Sequence, residues 1–369
     1  MADNPRFIMI GGFLGAGKTT TIGRLAKHYQ SQGKRIGIVT NDQATDLVDT
    51  NLLRSQGFDV GEVAGSCFCC NFNELTSTME KLGETQLPEI VIAEPVGSCT
   101  DLVATVIRPL QSIYSRPFDI APYGVILKPS HGLKILRGES KGGFSPQAEY
   151  IFRKQIEEAD FVIINRIDEL SDASIEELTS LLEINFPGTP RIRISATTGL
   201  GFDKLFELLD QKGAFGEKIM DVDYDIYAEG EAELGWLNAQ ASLQSNTLIQ
   251  LDEFIMALLS RISDALAEIS AEVAHLKVIG MSNGQFAVAN LVSSSTLPKL
   301  SIGSGLMTNS ANLVINARVA VAPESLTNTI EAKLQSVCTE FGFILTINAL
   351  QSFRPGRPVP THRMAGTKA

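Results

Sequence analysis

The chain has 369 residues, enough for two domains, and its 44% hydrophobic and 20% charged residues are typical of a folded protein rather than a disordered one. Its 31 basic and 42 acidic side chains give a net charge of −11, which repels nucleic-acid phosphates and argues against nucleic-acid binding. The sequence shows neither an apolar run near the roughly 18 residues that span a bilayer nor the pattern of a secretory signal, so we expect a cytoplasmic protein without a membrane partner.

Residues 1–212 alternate between strand-like and helix-like segments. Short apolar runs predict six buried strands at Phe7–Ile10, Arg35–Thr40, Ile90–Glu94, Gly124–Leu127, Phe161–Asn165 and Arg191–Ser195. Helical patterns fit between them at Thr19–Gln32, Asp46–Gln56 and Ala173–Asn185. This order predicts an α/β fold of the P-loop NTPase kind, a parallel sheet with helices on both faces.

A glycine-rich stretch follows the first predicted strand. Residues 12–19 read Gly-Phe-Leu-Gly-Ala-Gly-Lys-Thr, which matches the P-loop pattern G-x-x-x-x-G-K-[ST] between a strand and a helix. Backbone N–H groups of such a loop surround a polyphosphate, the lysine reaches the β- and γ-phosphates, and the hydroxyl binds Mg²⁺. We therefore predict a nucleotide site, with Lys18 and Thr19 as catalytic contacts. Five further residues complete the predicted phosphate loop: Gly12, Gly15, Ala16, Gly17 and Thr20.

Two carboxylates after predicted strands are candidates for the Mg²⁺ that accompanies the nucleotide. Glu94 ends the third predicted strand, and Gly97, three residues later, is positioned to present its N–H to the γ-phosphate and to report hydrolysis. Asp42 follows the second strand and is either another Mg²⁺ or switch residue or the N-cap of the next helix. The predicted Mg²⁺ site therefore contains Thr19, Glu94 and Asp42.

Three thiols lie within four residues at Cys67, Cys69 and Cys70. Thiolates are soft ligands that suit Zn²⁺ or Co²⁺, so this stretch predicts a transition-metal site; buried or redox-active thiols are the alternative. Because side chains of adjacent residues diverge in regular structure, we expect two of the three thiols to bind at once. Four side chains are candidates for the remaining ligands: Asp42, Asp46, Asp49 and His131.

The other two cysteines and three of the histidines have simpler interpretations. Cys99 lies beside the Glu94–Gly97 loop and either senses that loop or fills a small buried space. Cys338 falls beside the apolar stripe of a predicted helix and is expected to be structural. No sequence partner gives His28, His275 or His362 a role.

A base-recognition motif follows the fifth predicted strand. Asn165-Arg166-Ile167-Asp168 resembles N-K-x-D, whose carboxylate accepts hydrogen bonds from the guanine ring N–H and amine, which adenine does not offer. Ser195-Ala196-Thr197, after the next strand, resembles the S-A-x loop that donates to guanine O6. The predicted nucleotide is therefore GTP or GDP. Its predicted base contacts are Asn165, Arg166, Asp168, Ser195 and Ala196.

The second half of the chain has a different pattern of apolar and polar residues. Residues 213–227 predict a linker, with Asp221, Asp223 and Asp225 on one face of an extended segment as a solvated surface or, alternatively, a metal site. Residues 228–352 run strand–helix–strands–helix–strand, which predicts a smaller α+β domain of split βαβ, ferredoxin-like type. Residues 353–369 form a Pro-rich basic tail, either mobile or held on the surface, with docking to a partner as the alternative.

The motifs GGFLGAGKTT, CFCC, EPVG, QIEEAD and NRID together resemble the CobW/HypB/UreG family of P-loop GTPases over about residues 6–210. The resemblance implies slow GTP hydrolysis coupled to delivery of Co²⁺, Zn²⁺ or Ni²⁺ to a client protein, and homodimerisation as an assembly found among relatives. It assigns Lys18 and Thr19 to phosphate and Mg²⁺, Glu94 to the switch, and Asn165 and Asp168 to guanine. The three cysteines would hold the cargo metal.

Departures from the family pattern leave the metal and the client open. The usual N-E-F-G-E after the second strand is Asn-Asp-Gln-Ala-Thr at residues 41–45, without the two glutamates. The usual V-D-A is Leu-Lys-Pro at residues 127–129, and the C-terminal half matches no usual family run. The chain therefore resembles a divergent subfamily.

Three functional hypotheses follow. The first is a GTPase metallochaperone that delivers Zn²⁺ or Co²⁺ to a client metalloprotein or a corrinoid-related enzyme. The second is a GTP-dependent metal sensor or scaffold without delivery, which metal release to an apo-client would exclude. The third is a GTPase that gates corrinoid loading or reactivation of a partner enzyme through thiol redox chemistry, which persistence of function in Cys69→Ser would support.

Overall fold

The chain divides into two compact units. The computed structural model describes residues 4–41, 50, 53–54, 56–82, 88–115, 117–138, 145–294 and 296–366. The first unit contains Met1–Gly142, Pro146–Tyr227 and Arg357–Ala369, and the second contains Gly143–Ser145 and Ala228–Gly356. The predicted linker, residues 213–227, and the end of the predicted tail therefore belong to the first unit.

The first unit is built on a mainly parallel sheet, as predicted. Its described strands are β1 (Arg6–Gly11), β2 (Ile36–Asn41), β3 (Asp59–Val63), β4 (Ile90–Glu94), β5 (Asp119–Ile120), β6 (Gly124–Leu127), β7 (Phe161–Ile164) and β8 (Arg191–Arg193). The order is β3-β2-β4-β1-β6-β7-β8, and the short β5 also pairs with β1. All of these ladders are parallel, so the carboxyl ends of the strands lie along one edge of the sheet.

Helices connect these strands and cover the sheet. They are α1 (Lys18–Ser31), α2 (Phe72–Lys81), α3 (Arg108–Ser112, preceded by a π-helical turn at Val103–Ile107), α4 (Pro129–Leu136), α5 (Pro146–Glu158), α6 (Asp172–Asn185), α7 (Phe202–Leu209) and α8 (Tyr224–Ala232). The predictions at 19–32 and 173–185 are confirmed to within one residue at each end. The predicted helix Asp46–Gln56 falls mostly outside the described residues.

The segment predicted as a linker is fixed to the first unit by hydrogen bonds. The Gly216 N–H donates to Asp160 Oδ2 at 2.8 Å, and the Asp223 N–H donates to the Tyr150 hydroxyl at 2.8 Å. Asp223 Oδ1 accepts from the N–H groups of Asp225 and Ile226, in the first turn of α8. The predicted extended run of three aspartates is therefore wrong, because Asp223 caps a helix that already contains Asp225.

The second unit is an antiparallel α+β domain, as predicted. It contains the strands β9 (Gly235–Gln250), β10 (Val273–Ser282), β11 (Gln285–Leu291), β12 (Lys299–Ile302), β13 (Met307–Val319) and β14 (Ile344–Phe353) and the helices α9 (Leu251–Glu268) and α10 (Pro323–Phe341). The order β12-β11-β10-β13-β9-β14 contains the split arrangement β14-β9-β13-β10, extended by the β11–β12 hairpin. Cys338 lies fully buried in its apolar core, as expected of a structural residue.

The helices were compared with the requirements of a membrane-spanning segment. Within the described ranges, none of them combines the length and the apolar character that crossing a bilayer requires.

Candidate nucleotide and thiol sites

The predicted P-loop connects β1 to α1 and requires glycine at its bends. Gly12, Gly15 and Gly17 have φ angles of +133°, +69° and +100°, a region that other residues rarely adopt. A Cβ on Gly12 would lie 2.0 Å from the Ile126 carbonyl oxygen, and one on Gly17 would lie 2.4 Å from Asn165 Nδ2. The loop is therefore closed tightly against the strand ends beside it, in the conformation that directs N–H groups inward.

The two predicted catalytic contacts are buried at the start of α1. Lys18 Nζ donates to the Gly12 carbonyl at 2.9 Å, which folds the side chain back over the loop where phosphates would lie. The Thr19 hydroxyl donates to Glu94 Oε1 at 2.8 Å. A hydroxyl and a carboxylate this close are hard oxygen donors, which fit Mg²⁺. Asp42, the third predicted Mg²⁺ ligand, lies outside the described residues.

Gly97, the predicted switch residue, lies beside Lys18. A Cβ on Gly97 would be 3.0 Å from Lys18 Nζ and 2.7 Å from Leu14 Cδ2, so only glycine lets this loop come so close. The Gln155 amide holds the loop by donating to the carbonyl oxygens of Gly97, at 3.0 Å, and Cys99, at 2.8 Å. Sequence reasoning gave Gln155 no role, although it begins the QIEEAD run.

Asn165 ties the base-recognition segments to the P-loop. Its Nδ2 donates to the Ala16 carbonyl at 2.7 Å, and its Oδ1 accepts from the Ala196 N–H at 2.9 Å. The Ala196 N–H is therefore directed to Asn165 rather than to guanine O6. Ser195 is buried next to it, and its Oγ accepts from the Thr198 N–H at 3.0 Å.

The remaining base residues lie on a turn after β7. Asp168 is exposed in a 3₁₀ turn at Ile167–Glu169, so its carboxylate is free to meet an incoming base edge. Arg166 has a φ of +60° and pairs with Glu169 at 3.0 Å. Arg24, which the sequence did not single out, donates to the Ala196 and Thr197 carbonyls and so holds the neighbouring loop.

The three predicted cargo ligands converge. The Sγ atom of Cys67 lies 2.8 Å from that of Cys69 and 3.1 Å from that of Cys70, and the last two are 3.7 Å apart. The expectation that the adjacent side chains of Cys69 and Cys70 diverge is wrong, because the backbone forms a turn here. How many of the three thiols bind metal at once stays a prediction. The N–H groups of Cys70 and Asn71 both donate to the Cys67 carbonyl, and this turn directs adjacent side chains to one side.

The crowded thiols perturb one another's ionisation. Hydrogen bonding with the thiols of Cys69, Cys70 and Cys99 holds the pKa of Cys67 well below its usual value. The hydrogen bond to Cys67 raises the pKa of Cys69 well above its usual value and that of Cys70 to about 11. A thiol whose pKa is lowered by neighbouring thiols gives up its proton more readily to a soft cation.

Comparison with known proteins agrees with this geometry. Residues 6–188 match the family model described as CobW/HypB/UreG, nucleotide-binding domain. This part of the chain is a CobW/HypB/UreG nucleotide-binding domain. The family is one of P-loop GTPases, and the match covers the P-loop, the cysteine cluster, Glu94 and the Asn165–Asp168 motif.

Individual relatives are distant. The zinc chaperone CobW of Sinorhizobium sp is 29% identical over 191 residues, 45% of this chain and 51% of that protein. The zinc chaperone YeiR of Escherichia coli K12 is 26% identical over 176 residues, 46% of this chain and 49% of that protein. The chain thus spans about half the length of these two proteins. The Zn(II)-bound YjiA GTPase of E. coli is 12% identical with a TM-score of 0.36, covering 91% of this chain and 99% of that chain.

In this CobW-type domain, Asn41 connects the sheet to the loop that carries Cys67, Cys69 and Cys70, residues 64–71, which we call the cysteine loop. It is the last residue of β2, and its Nδ2 donates to the carbonyl oxygens of Val63, at 2.9 Å, and Ser66, at 2.8 Å. Its Oδ1 accepts from the Phe68 N–H at 2.8 Å. Sequence reasoning assigned no role to Asn41. Its position at the start of the divergent Asn-Asp-Gln-Ala-Thr run was the available signal.

The C-terminal tail of the chain, which belongs to the first unit, lies against the cysteine loop. The Val359 N–H donates to Cys70 Sγ at 3.3 Å, and the Thr361 N–H and hydroxyl donate to the carbonyls of Cys69 and Cys70, both at 2.8 Å. The tail is therefore held on the surface, which was one of the predicted alternatives. His362, given no role from sequence, packs its ring edge-on against Phe72 at 5.2 Å between centroids.

An ion pair anchors the tail two residues beyond its contacts with the loop. Arg363 Nε donates to Asp101 Oδ2 at 2.7 Å, and the Tyr224 hydroxyl donates to the same oxygen at 2.7 Å. Asp101 is almost fully buried, and its burial raises its pKa although both partners oppose the shift. A buried carboxylate needs such partners, so the anchor of the tail has a specific structural role.

His131 lies apart from the cysteines. Within the described part of the chain, the side chains whose ligand atoms lie within 4.8 Å of one another are Cys67, Cys69 and Cys70. The His131 ring is buried, with Nε2 2.8 Å from Lys128 Nζ and its ring edge-on to Phe13 of the P-loop. Burial and the Lys128 charge lower its pKa, so the ring is neutral. Two other predicted ligands, Asp46 and Asp49, lie outside the described residues.

Proposed function

We propose that this protein is a GTP-dependent metallochaperone, which carries Zn²⁺ or Co²⁺ on Cys67, Cys69 and Cys70 and delivers it to a client metalloprotein or a corrinoid-related enzyme. The observation that carries the proposal is the convergence of three thiols on a loop at the same sheet edge as the P-loop. Two distant relatives that share this domain are zinc chaperones, which supports a metal as cargo.

The nucleotide half of the mechanism uses the buried contacts at the start of α1. Lys18 exchanges its bond to the Gly12 carbonyl for the β- and γ-phosphates, and Thr19 and Glu94 hold the Mg²⁺. Mg²⁺, when bound, neutralises charge on the phosphate oxygens. We assign no general base among the described residues, so we expect hydrolysis to be slow until a partner completes the site. The exposed Asp168 carboxylate selects guanine.

In the proposed mechanism, metal release depends on how the nucleotide site is connected to the cysteine loop. The Glu94–Gly97 loop contacts Lys18, and Asn41 ties the end of β2 to the cysteine loop. Hydrolysis removes the γ-phosphate that Lys18 and Gly97 face, and the displaced loops then weaken metal binding. By linkage, bound metal changes the affinity for nucleotide by the same factor.

Delivery requires a compartment in which the thiols remain reduced. The five cysteines are all free thiols. Since disulfides are rare in the cytoplasm, that compartment suits a thiolate cargo site, and we place the protein there. A client would accept metal when the loop relaxes. Release to an apo-client on hydrolysis distinguishes this proposal from a sensor that retains its metal.

An anaerobic Co²⁺ titration tests the proposal. The full-length protein is titrated with Mg²⁺ and either a non-hydrolysable GTP analogue or GDP, while thiolate-to-cobalt absorption in the near ultraviolet is followed. We expect one equivalent to saturate the band and the affinity to differ by about fivefold or more between nucleotides, a coupling of roughly 1 kcal/mol. Equal affinity in both states would contradict a nucleotide-gated carrier.

Matched variants identify which thiols carry the metal. Cys69→Ser should reduce the thiolate band, whereas Cys338→Ala removes a thiol from the core of the second unit and should leave the band unchanged. If no band appears in wild-type protein in either nucleotide state, the cysteines carry no cargo. The domain would then be a GTPase switch whose thiols serve another purpose, such as redox chemistry.

A further inference from the structure

Cys99 has no role in the site described so far, although it lies beside it. Its side chain is 1% exposed, and its thiol hydrogen-bonds to Cys67. The backbone there is fixed, since the Cys99 N–H donates to the Val96 carbonyl at 3.0 Å and its carbonyl accepts from Gln155 at 2.8 Å. Cys67 therefore has three sulfur neighbours: Cys69, Cys70 and Cys99.

The three converging cysteines leave a zinc-type site incomplete. Zn²⁺ and Co²⁺ bound by thiolates take four ligands in a tetrahedron, with metal–sulfur bonds of about 2.3 Å. Among the described histidines, aspartates and glutamates, none joins the three cysteine sulfurs within 4.8 Å. Cys67, Cys69 and Cys99 are each at most 3% exposed, so water has poor access to these three sulfurs.

We propose that Cys99 is the fourth sulfur ligand of the cargo metal, which makes the site a four-cysteine site that joins the 67–70 turn to the loop after Glu94. This inference rests on the proposed metal site and specifies its ligands. Cys99 is not within 4.8 Å of all three other sulfurs, so its side chain must close on the metal as it binds. Each thiol that binds forms a metal–sulfur bond and releases its proton to solvent.

The placement of Cys99 gives nucleotide state a direct route to the metal. Cys99 is two residues after Gly97, where a Cβ would be 3.0 Å from Lys18 Nζ. Gln155 donates to the carbonyls of both Gly97 and Cys99, so the two positions move together. We assign four-sulfur coordination to the GTP state. When the loop relaxes after hydrolysis, the Cys99 sulfur withdraws and three sulfurs remain, from which a client extracts the metal more easily.

X-ray absorption at the zinc edge tests this assignment, because it counts sulfur ligands directly. The full-length protein is loaded with one equivalent of Zn²⁺ in the presence of Mg²⁺ and a non-hydrolysable GTP analogue. We expect four sulfurs in wild-type protein and three sulfurs plus one oxygen or nitrogen in Cys99→Ser. We also expect zinc affinity to fall at least about tenfold in the variant, measured by competition with a chromophoric chelator.

Control variants separate the failure of this inference from failure of the proposed function. Cys338→Ala should retain four sulfurs, and Cys99→Ala repeats the test if the serine variant misfolds. Three sulfurs in wild-type protein, or an unchanged count in the Cys99 variants, would overturn the role of Cys99 and leave the three-cysteine site standing. Zinc without sulfur ligands in wild-type protein would overturn both. The sulfur count of wild-type protein decides the matter even if both Cys99 variants unfold.

Discussion

The P-loop and the cysteine loop follow strands of the same sheet but are held in place differently. The P-loop is closed by its own backbone, with three glycines at positive φ and the Lys18 side chain bonded to Gly12. The cysteine loop depends on side chains from elsewhere, namely Asn41 at the end of β2 and Thr361 in the tail. Asn165 adds a single hydrogen bond to the Ala16 carbonyl of the P-loop, so that loop takes its conformation mainly from its own backbone. The cysteine loop depends more on anchors from segments distant in sequence.

This difference fits the two roles. A phosphate loop must present the same N–H groups in every cycle, so a conformation fixed by local geometry is an advantage. A cargo loop must bind metal and then release it, so its anchors have to respond to another site. Asn41 ends β2, which pairs with β4, the strand that leads into the Glu94–Gly97 loop. The second anchor, the tail, comes from the C-terminal end of the chain. Perturbing each anchor tests the contrast.

The largest effect is expected from Lys18→Ala, which removes the only charged group of the P-loop, residues 12–19. GTP hydrolysis should fall by roughly 100-fold or more because the charge that faces the β- and γ-phosphates is lost. Zinc affinity without nucleotide should be unchanged, since the cysteine loop has its own anchors. Phosphate release and chelator competition measure the two quantities. A large loss of zinc affinity in the nucleotide-free variant would contradict the independence of the two loops.

Asn41→Ala should produce the opposite pattern. It removes two hydrogen bonds to the cysteine loop and one to the end of β3, and leaves buried backbone groups unsatisfied, at a cost of about 1–3 kcal/mol. Zinc affinity should fall by a corresponding factor of roughly 10 to 100, whereas binding of a fluorescent GTP analogue should change little. Asn41→Asp keeps the acceptor for the Phe68 N–H but places a buried carboxylate oxygen against the Val63 and Ser66 carbonyls, so it should lower zinc affinity at least as much as alanine does. Equal zinc affinity in all three proteins would show that Asn41 does not hold the loop.

The same contrast explains what the sequence predicted well. The P-loop, the end of β4 at Glu94 and the Asn165–Asp168 motif depend on short local patterns, and the structure brings all of them to one edge of the sheet. Asn41, Gln155 and Arg24 contact residues up to 173 positions away, and no local spacing in the sequence predicts such contacts. Strand β3, Asp59–Val63, was missed because Gly61 and Glu62 interrupt its apolar run.

The divergence of Cys69 and Cys70 was predicted on the assumption of regular structure. Instead, the chain forms a turn that is fixed by backbone hydrogen bonds to the Cys67 carbonyl. The pattern of side chains in the sequence does not predict these backbone hydrogen bonds. The tail shows a similar limit. Its proline and basic residues predicted a surface segment, but its position on the cysteine loop depends on the buried Asp101, 262 residues away from Arg363.

A smaller effect is expected from releasing the tail. Arg363→Ala removes one of the two partners of Asp101, so the pKa of the buried carboxyl should rise further and the tail loses its anchor. The tail then lifts from Cys69 and Cys70, and metal-free protein should react several-fold faster with a thiol reagent at Cys70, the most exposed of the three. Peptide mass spectrometry locates the labelled thiol. Arg261→Ala is the matched control, since it removes an exposed arginine that pairs with Glu340 between two helices of the second unit. Equal labelling rates in both variants would show that the tail does not cover the loop.

The smallest effect concerns pH and the segment that follows Cys99. Glu158 is fully buried, and its carboxylate accepts from the Val103 N–H at 3.0 Å and the Thr100 hydroxyl at 3.2 Å. Desolvation raises its pKa from 4.5 to about 8 despite these bonds. A raised carboxyl pKa means that the folded state binds the proton more tightly than the unfolded state does. Its contribution is therefore fully present below about pH 4.5 and is lost as pH rises through about 8.

Glu158→Gln tests this contribution because glutamine cannot titrate. The variant loses one acceptor, so it should be less stable than wild type at pH 5, where the wild-type carboxyl is protonated in the folded state. Between pH 5 and 8 the wild type should lose stability that the variant retains, and the difference in melting temperature should shrink or change sign. Thermal unfolding at unit steps of pH measures it. Parallel curves for the two proteins would show that Glu158 is already ionised at pH 5, and that the turn after Cys99 is held by a carboxylate throughout this range.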